Sequence, residues 1–356
     1  AERDRMNVLF IASDDMRPEL GCYGAKHIHS PNLDRLAAQG TTFLRAYCQQ
    51  AVCSPSRSSL MTGLRPDTIR IWDLATHFRD NVPDVVTVSQ HFKNHGYHAE
   101  RIGKIYHTGH GNRDDKSSWS RTVKYPGASR YGPEGNAHLK RLLAEAKVEG
   151  IDLKDNRLRP RGLPWEPPDV ADNELADGKI AENAVKLMGE LKDQPFFLAV
   201  GFLNPHLPFV APKKYWDLYD PTSLELADNP YAPKGSPGFA VTSWGELRKY
   251  YGIPAQGPLT DDQARSMIHG YYAAISYVDA QVGRLLDELE RLGLAENTIV
   301  VFWGDHGWKL GEHGGWCKHT NFELDARVPL IFRVPRQKTA GQTSNALVEF
   351  VDIYPT

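Results

Sequence analysis

A cysteine opens the run Cys53-Ser54-Pro55-Ser56-Arg57, which continues as Ser58-Ser59-Leu60-Met61-Thr62-Gly63. A small polar start, a proline near the first turn and an amphipathic continuation predict a helix N-terminus. Cys53 then lies at the positive end of a helix dipole, with backbone N–H groups nearby and Arg57 one turn along. That is an anion site holding a reactive side chain. The competing reading is a small buried cysteine before an ordinary capped helix.

Other chemistry-bearing residues fall at the ends of apolar runs. Asp14-Asp15 follows residues 6–13, and Asp305-His306 follows 298–303. Carboxylates beyond the carboxyl ends of strands form a candidate metal site; otherwise Asp14 caps a turn and Asp15 is solvated. Lys104 and His107 are three apart in a turn, so they can point into one pocket. His206 lies between Pro205 and Pro208, which hold it rigidly as a turn residue or a positioned acid.

The elements that must position these groups alternate strand and helix. Continuous apolar runs at 6–13, 195–201 and 298–303 read as strands buried on both faces of a parallel sheet. Shorter strands are expected at 42–46, 97–102 and 328–332, and helices at 32–39, 85–94, 137–148, 172–191 and 267–292. Residues 110–175 read as an insertion lying over the surface, and 219–261 as a Pro-rich irregular stretch. The final residues, 351–356, read as the entry to a helix, so truncation is expected there. The fold class is α/β: a large, mostly parallel central sheet with helices on both faces.

Composition narrows the function classes. With 24% charged and 41% hydrophobic residues, the 356-residue chain reads as globular, one large domain or two smaller ones. Its net charge of −2 provides no global field for a nucleic acid, so anion binding must be local. No apolar run is long enough to span a membrane. The four cysteines, Cys22, Cys48, Cys53 and Cys317, fit neither a zinc pattern nor a dense disulfide framework. The absence of a signal peptide fits a cytosolic protein or a mature secreted one.

Residues 53–63 resemble the signature of type I, formylglycine-dependent sulfatases, members of the alkaline-phosphatase-like superfamily. The likeness extends to Asn7–Ile11 with Asp14-Asp15, to Gly21-Cys22-Tyr23-Gly24 and to Ser30-Pro31-Asn32-Leu33-Asp34. Residues 49–53, 103–107, 305–308 and 311–314 are most similar to the iduronate-2-sulfatase branch. The resemblance covers the chain except about 110–175. It implies a catalytic domain over 1–356 and a smaller C-terminal subdomain or light chain beyond it. It further implies that Cys53 is converted to formylglycine by a formylglycine-generating enzyme and attacks sulfur as a gem-diol. Asp14, Asp15, Cys53, Asp305 and His306 would hold Ca²⁺, with Mg²⁺ the second choice, since three carboxylates suit a hard cation and are costly to bury without one. Arg57, Lys104 and Lys318 would neutralise the sulfuryl oxygens, His206 would be the acid and His107 the base. Without the family, Lys318 reads as a surface residue. Trp308, His313 and Trp316 would wall a sugar subsite or simply pack. The implied setting is periplasmic, secreted or lysosome-like, and the implied substrate a sulfated saccharide. The alternatives are a phosphodiesterase or phosphonate monoester hydrolase of the same superfamily, or an inactive carbohydrate-binding homologue.

Overall fold

The computed structural model describes residues 5–156, 158–243 and 245–356. The strands are β1 (Asn7–Asp14), β2 (Thr41–Tyr47), β3 (His98–Gly103), β4 (Trp165–Glu166), β5 (Phe196–Pro205), β6 (Phe209–Val210), β7 (Thr298–Gly304), β8 (Arg327–Val328), β9 (Leu330–Arg333) and β10 (Gln342–Glu349). The main sheet has eight strands in the order β10-β2-β9-β7-β1-β5-β3, with β8 pairing β2. The inner ladders β3–β5, β5–β1 and β1–β7 are parallel, as is β2–β10. Only β8 and β9 run antiparallel to their neighbours.

All eight residues of β1 are buried, as its unbroken apolar run requires when both faces are covered. Leu9 and Ile11 point to one face, where α1 (Pro31–Gln39), α5 (Ala176–Leu191) and α6 (Asp261–Arg291) pack. Val8, Phe10 and Ala12 point to the other face, onto α2 (Cys53–Thr62) and α3 (Val88–Asn94).

Register, more than any single contact, assembles the functional edge. Ser13 pairs with Gly304, so Asp14 and Asp305 leave the sheet side by side. Gly103 pairs with Gly201, which delivers Lys104 next to the end of β5. A Cβ on Gly103 would lie 2.0 Å from the Gly201 carbonyl oxygen, and one on Gly201 would lie 1.9 Å from that of Lys104. This edge therefore closes only with glycine at both positions.

Several sequence expectations change. The strand expected at 328–332 is split by Pro329 into β8 and β9, because proline offers no donor to a ladder. Strand β10 had no sequence signal: its residues are largely exposed at the sheet edge, so no apolar alternation marks them. Helix α6 starts six residues before the expected Met267, on a capping box in which Thr260 and Gln263 exchange side-chain bonds. Residues 110–175 do more than lie over the surface. They contribute α4 (Pro133–Val148), strand β4 of the two-stranded β4–β6 sheet, and part of a small core in which Tyr131 and Leu175 pack with Tyr215, Trp216 and Tyr277. Glu166 ties the helix down by accepting from the backbone N–H groups of Gly132 and Gly135, each at 2.8 Å. Phe350–Asp352 forms a 3-10 turn where a helix entry was expected.

Candidate active site

Cys53 is the first residue of α2, and no side chain caps the helix. The amphipathic continuation expected here is absent: all ten residues of α2 are buried, so the helix runs into the molecule. Ser56 and Arg57 on this helix bond to the sheet edge, while Ser59 Oγ is buried without a partner. Ser56 Oγ donates to the Asp305 carbonyl at 2.5 Å. Arg57, fully buried, donates from Nε to Asp305 Oδ2 at 2.7 Å and from Nη2 to Asp14 Oδ1 at 3.0 Å. Its Nη1 serves the carbonyls of Lys104 and Ile105 at 2.6 and 3.0 Å, and the guanidinium lies 5.4 Å from the Trp303 ring centroid. A guanidinium so committed orients carboxylates and has no free face for a substrate. Arg57, expected to meet the sulfuryl oxygens, is here engaged by Asp14, Asp305 and two backbone carbonyls.

Cys53 Sγ lies 3.2 Å from His306 Nε2. His306 Nδ1 is 3.0 Å from the Gly307 carbonyl, which fixes the proton on Nδ1 and leaves the Nε2 lone pair facing inward. That lone pair meets Asp15 Oδ1 at 3.5 Å and Asp305 Oδ2 at 3.6 Å. Acceptors converging on acceptors in a buried pocket call for a cation between them. Ligand atoms of Asp14, Asp15, Cys53 and His206 lie within 4.8 Å of one another, as do those of Cys53, Asp305 and His306. The alternative of a solvated Asp15 is ruled out, since it is fully buried.

Three cations face four carboxylates here. Lys104 Nζ donates to Asp14 Oδ2. Lys318 Nζ reaches Asp15 Oδ2 at 2.8 Å and Glu246 Oε2 at 2.9 Å. Lys318 is 3% exposed, so it is no surface lysine. Burial would raise the pKa of Asp14, but Lys104 and Arg57 outweigh it and hold the group well below the usual carboxylate range. Burial, together with the charges of Asp14, Glu246 and Asp305, pushes Asp15 well above that range despite Lys318. Asp15 is therefore the carboxylate with unmet demand for a positive partner. The Cys53 thiol is likewise pushed up, by burial and by Asp14. As a plain cysteine it stays protonated, so helix-dipole activation to a thiolate does not operate.

The Sulfatase family model matches residues 6–356. The chain belongs to the sulfatase family. It is a sulfuric ester hydrolase by membership. It is 38% identical to "Iduronate 2-sulfatase" of Homo sapiens over 395 aligned residues, covering 99% of this chain and 68% of the relative. It is 33% identical to "Sulfatase" of Formosa agariphila, covering 100% of this chain and 69% of that one. Among solved structures, the phosphonate monoester hydrolase of Agrobacterium radiobacter superposes with a TM-score of 0.72 at 26% identity, over 99% of this chain and 73% of that one.

The sulfatase site also contains a residue that the sequence did not announce. Glu246, from the irregular 219–261 stretch, bridges Lys318 and His206, with Oε1 3.2 Å from His206 Nε2. No motif marks it; only the folded loop brings it in. His206 Nδ1 donates to the Leu207 carbonyl at 2.7 Å, so Nε2 is the nitrogen turned to Glu246. Burial and Lys318 push the His206 pKa well down, and Glu246 pulls it up. His107 is pushed down to about 3 by burial and by Lys104, which leaves it neutral; its Nε2 is 3.3 Å from His110 Nδ1.

The aromatic residues expected to wall a sugar subsite lie elsewhere. Trp308 is 0% and Trp316 9% exposed, so neither offers a face to a sugar. Trp308 instead lies under Lys318, whose Nζ is 4.9 Å from the ring centroid. His313 packs on Phe322 at 4.3 Å and faces the Tyr231 carbonyl, on the outer side of its loop.

Proposed function

We propose that this sulfatase removes sulfate from a sulfated saccharide, with 2-O-sulfated uronic acid in a glycosaminoglycan the leading candidate and other sulfated polysaccharides the alternative. The observation that carries the reading is the convergence on Cys53 of an acceptor-rich cation pocket and two lysines. Sulfate-ester recognition needs both halves. Kinship along the whole chain to a protein named iduronate 2-sulfatase supports the substrate class.

Asp14, Asp15, Asp305 and His306, with residue 53, would hold Ca²⁺, Mg²⁺ being the second choice. When bound, the cation supplies charge neutralisation and acidifies an oxygen nucleophile at position 53, once Cys53 has been matured to formylglycine by a formylglycine-generating enzyme. The remaining work belongs to the chain. Lys104 binds the sulfuryl oxygens with the N–H donors left over from Asp14, and Lys318 does so by exchanging one of its contacts to Asp15 or Glu246 for the anion. His206 gives a proton to the departing alcohol, and an arriving sulfate anion helps charge it. His107, neutral, accepts a proton at Nε2 or Nδ1; the latter is buried without a partner. Arg57 keeps Asp14 and Asp305 aligned. No helix of the described residues is long and apolar enough to cross a membrane. A periplasmic, secreted or lysosome-like setting is part of the proposal.

The test pairs two assays on one sample: rates on an aryl sulfate and an aryl phosphodiester, and the mass of the peptide containing residue 53. We expect the sulfate to be preferred and an aldehyde or its hydrate at 53. A preference for the phosphodiester transfers the site to the phosphonate-hydrolase reading, and an active protein with an intact thiol removes the proposed nucleophile.

A further inference from the structure

Residues flanking the site stretches in sequence line a polar hollow, formed by Gln49, Gln50, Arg65, Asp67, Trp72 and Asn321. Gln50 is three residues before Cys53, and Asn321 three after Lys318. The two segments are joined where His319 N–H donates to the Ala51 carbonyl at 3.3 Å. The hollow is thus built from the same two stretches that deliver the nucleophile position and a charge-neutralising lysine.

Trp72 is 55% exposed, the one exposed tryptophan among those described. A large indole left in water invites a partner. It is nonetheless held in place. The preceding Ile71 is fully buried, the indole Nε1 donates to Asp67 Oδ1 at 3.3 Å, and the Trp72 carbonyl accepts from Gln50 Nε2 at 3.2 Å. An apolar face fixed in advance, ringed by amides and an exposed guanidinium, matches a pyranose: C–H groups on one face, hydroxyls at the edge and an anionic substituent. Arg65 pairs with Glu349 at 2.7 Å yet is 58% exposed at its side chain, so its remaining donors face solvent.

We propose that this hollow is an outer saccharide subsite, in which Trp72 stacks on the sugar unit next to the sulfated one. Gln50 and Asn321 take its hydroxyls and Arg65 its carboxylate or sulfate. The inference rests on the saccharide-sulfatase reading and adds that the enzyme grips at least two sugar units. It also supplies the aromatic platform that Trp308 and Trp316, being buried, do not.

The experiment compares wild type with Trp72→Ala and Trp72→Phe on three probes: 4-nitrocatechol sulfate, a sulfated uronic acid monosaccharide, and a heparin-derived disaccharide carrying the same sulfated unit. Wild type should favour the disaccharide over the monosaccharide in kcat/KM. Trp72→Ala should lose about tenfold on the disaccharide, mostly in KM, with the aryl sulfate and the monosaccharide unchanged. Trp72→Phe, which keeps a stacking face, should recover most of the loss. Equal wild-type efficiency on the monosaccharide and the disaccharide, or an equal loss on all three probes in Trp72→Ala, overturns the subsite while the sulfatase reading stands. Wild type that hydrolyses the aryl sulfate but neither saccharide removes the glycosaminoglycan reading and the subsite with it.

Discussion

Two buried ion clusters hang from the same loop, and they behave differently. Lys309 and Lys318 are 2% and 3% exposed and nine residues apart. Lys309 Nζ meets Asp325 Oδ2, which also accepts from Thr320 N–H at 2.9 Å and from Thr320 Oγ1. One cation faces one carboxylate, so the charges balance, although Asp325 Oδ1 is buried without a partner. Around Lys318 the count is uneven: Asp14, Asp15, Asp305 and Glu246 outnumber Arg57, Lys104 and Lys318, and the His306 lone pair faces two of the acids. A balanced buried pair is architecture, whereas an unbalanced one marks a place where something charged must arrive.

The comparison breaks most visibly by removing the proposed cation or one of its ligands. Chelation should abolish turnover and lower the melting temperature of wild type, with Ca²⁺ restoring both. Asp305→Ala should be inactive, less stable and no longer responsive to chelator. A fully active, equally stable Asp305→Ala would sink the cation site. A sharper cut is to neutralise each lysine in turn. Lys309→Met strands Asp325 and should cost about 3–5 kcal/mol in denaturant unfolding, while the folded fraction keeps its kcat. Lys318→Met should lose on the order of 100-fold in kcat/KM with a smaller stability loss, because the bound cation still partners Asp15. Interchanged results would mean that the roles of the two clusters have been misassigned.

The smallest effect concerns Glu246. Its charge raises the His206 pKa, so Glu246→Gln should lower that pKa further and deplete the protonated form at a given pH. The basic limb of the kcat profile should move to lower pH, with a rate loss of about tenfold. A uniformly lower profile of unchanged shape would leave Glu246 a purely structural strut for Lys318.

Much of this was legible in the residues. The runs at 6–13 and 298–303 read as buried strands because nothing in them alternates, and the acids that follow, Asp14, Asp15 and Asp305, fell at strand ends. The Cys53 run announced a helix start. Other features were hidden for physical reasons. Glu246 lies in a stretch with no periodicity, and its role depends on a loop crossing the site. Trp308 and Trp316 share a Gly-rich loop with Lys318, and sequence alone does not say which side of a loop faces the core. The insertion read as surface because its small core is shared with β6 and α6, contacts too distant in sequence to leave a local pattern.

The sequence by itself determined the inner strands of the sheet, the long helices and the family, since these follow from periodicity, punctuation and a specific motif. Only the tertiary structure decided that Arg57 is held by Asp14 and Asp305, that Lys318 is buried against Asp15, and that Trp72 is the exposed indole among the described residues. Burial and partner choice are set by strand register and loop packing, which bring together residues hundreds of positions apart. A side chain's chemistry is fixed by its type, but its task is fixed by its neighbours.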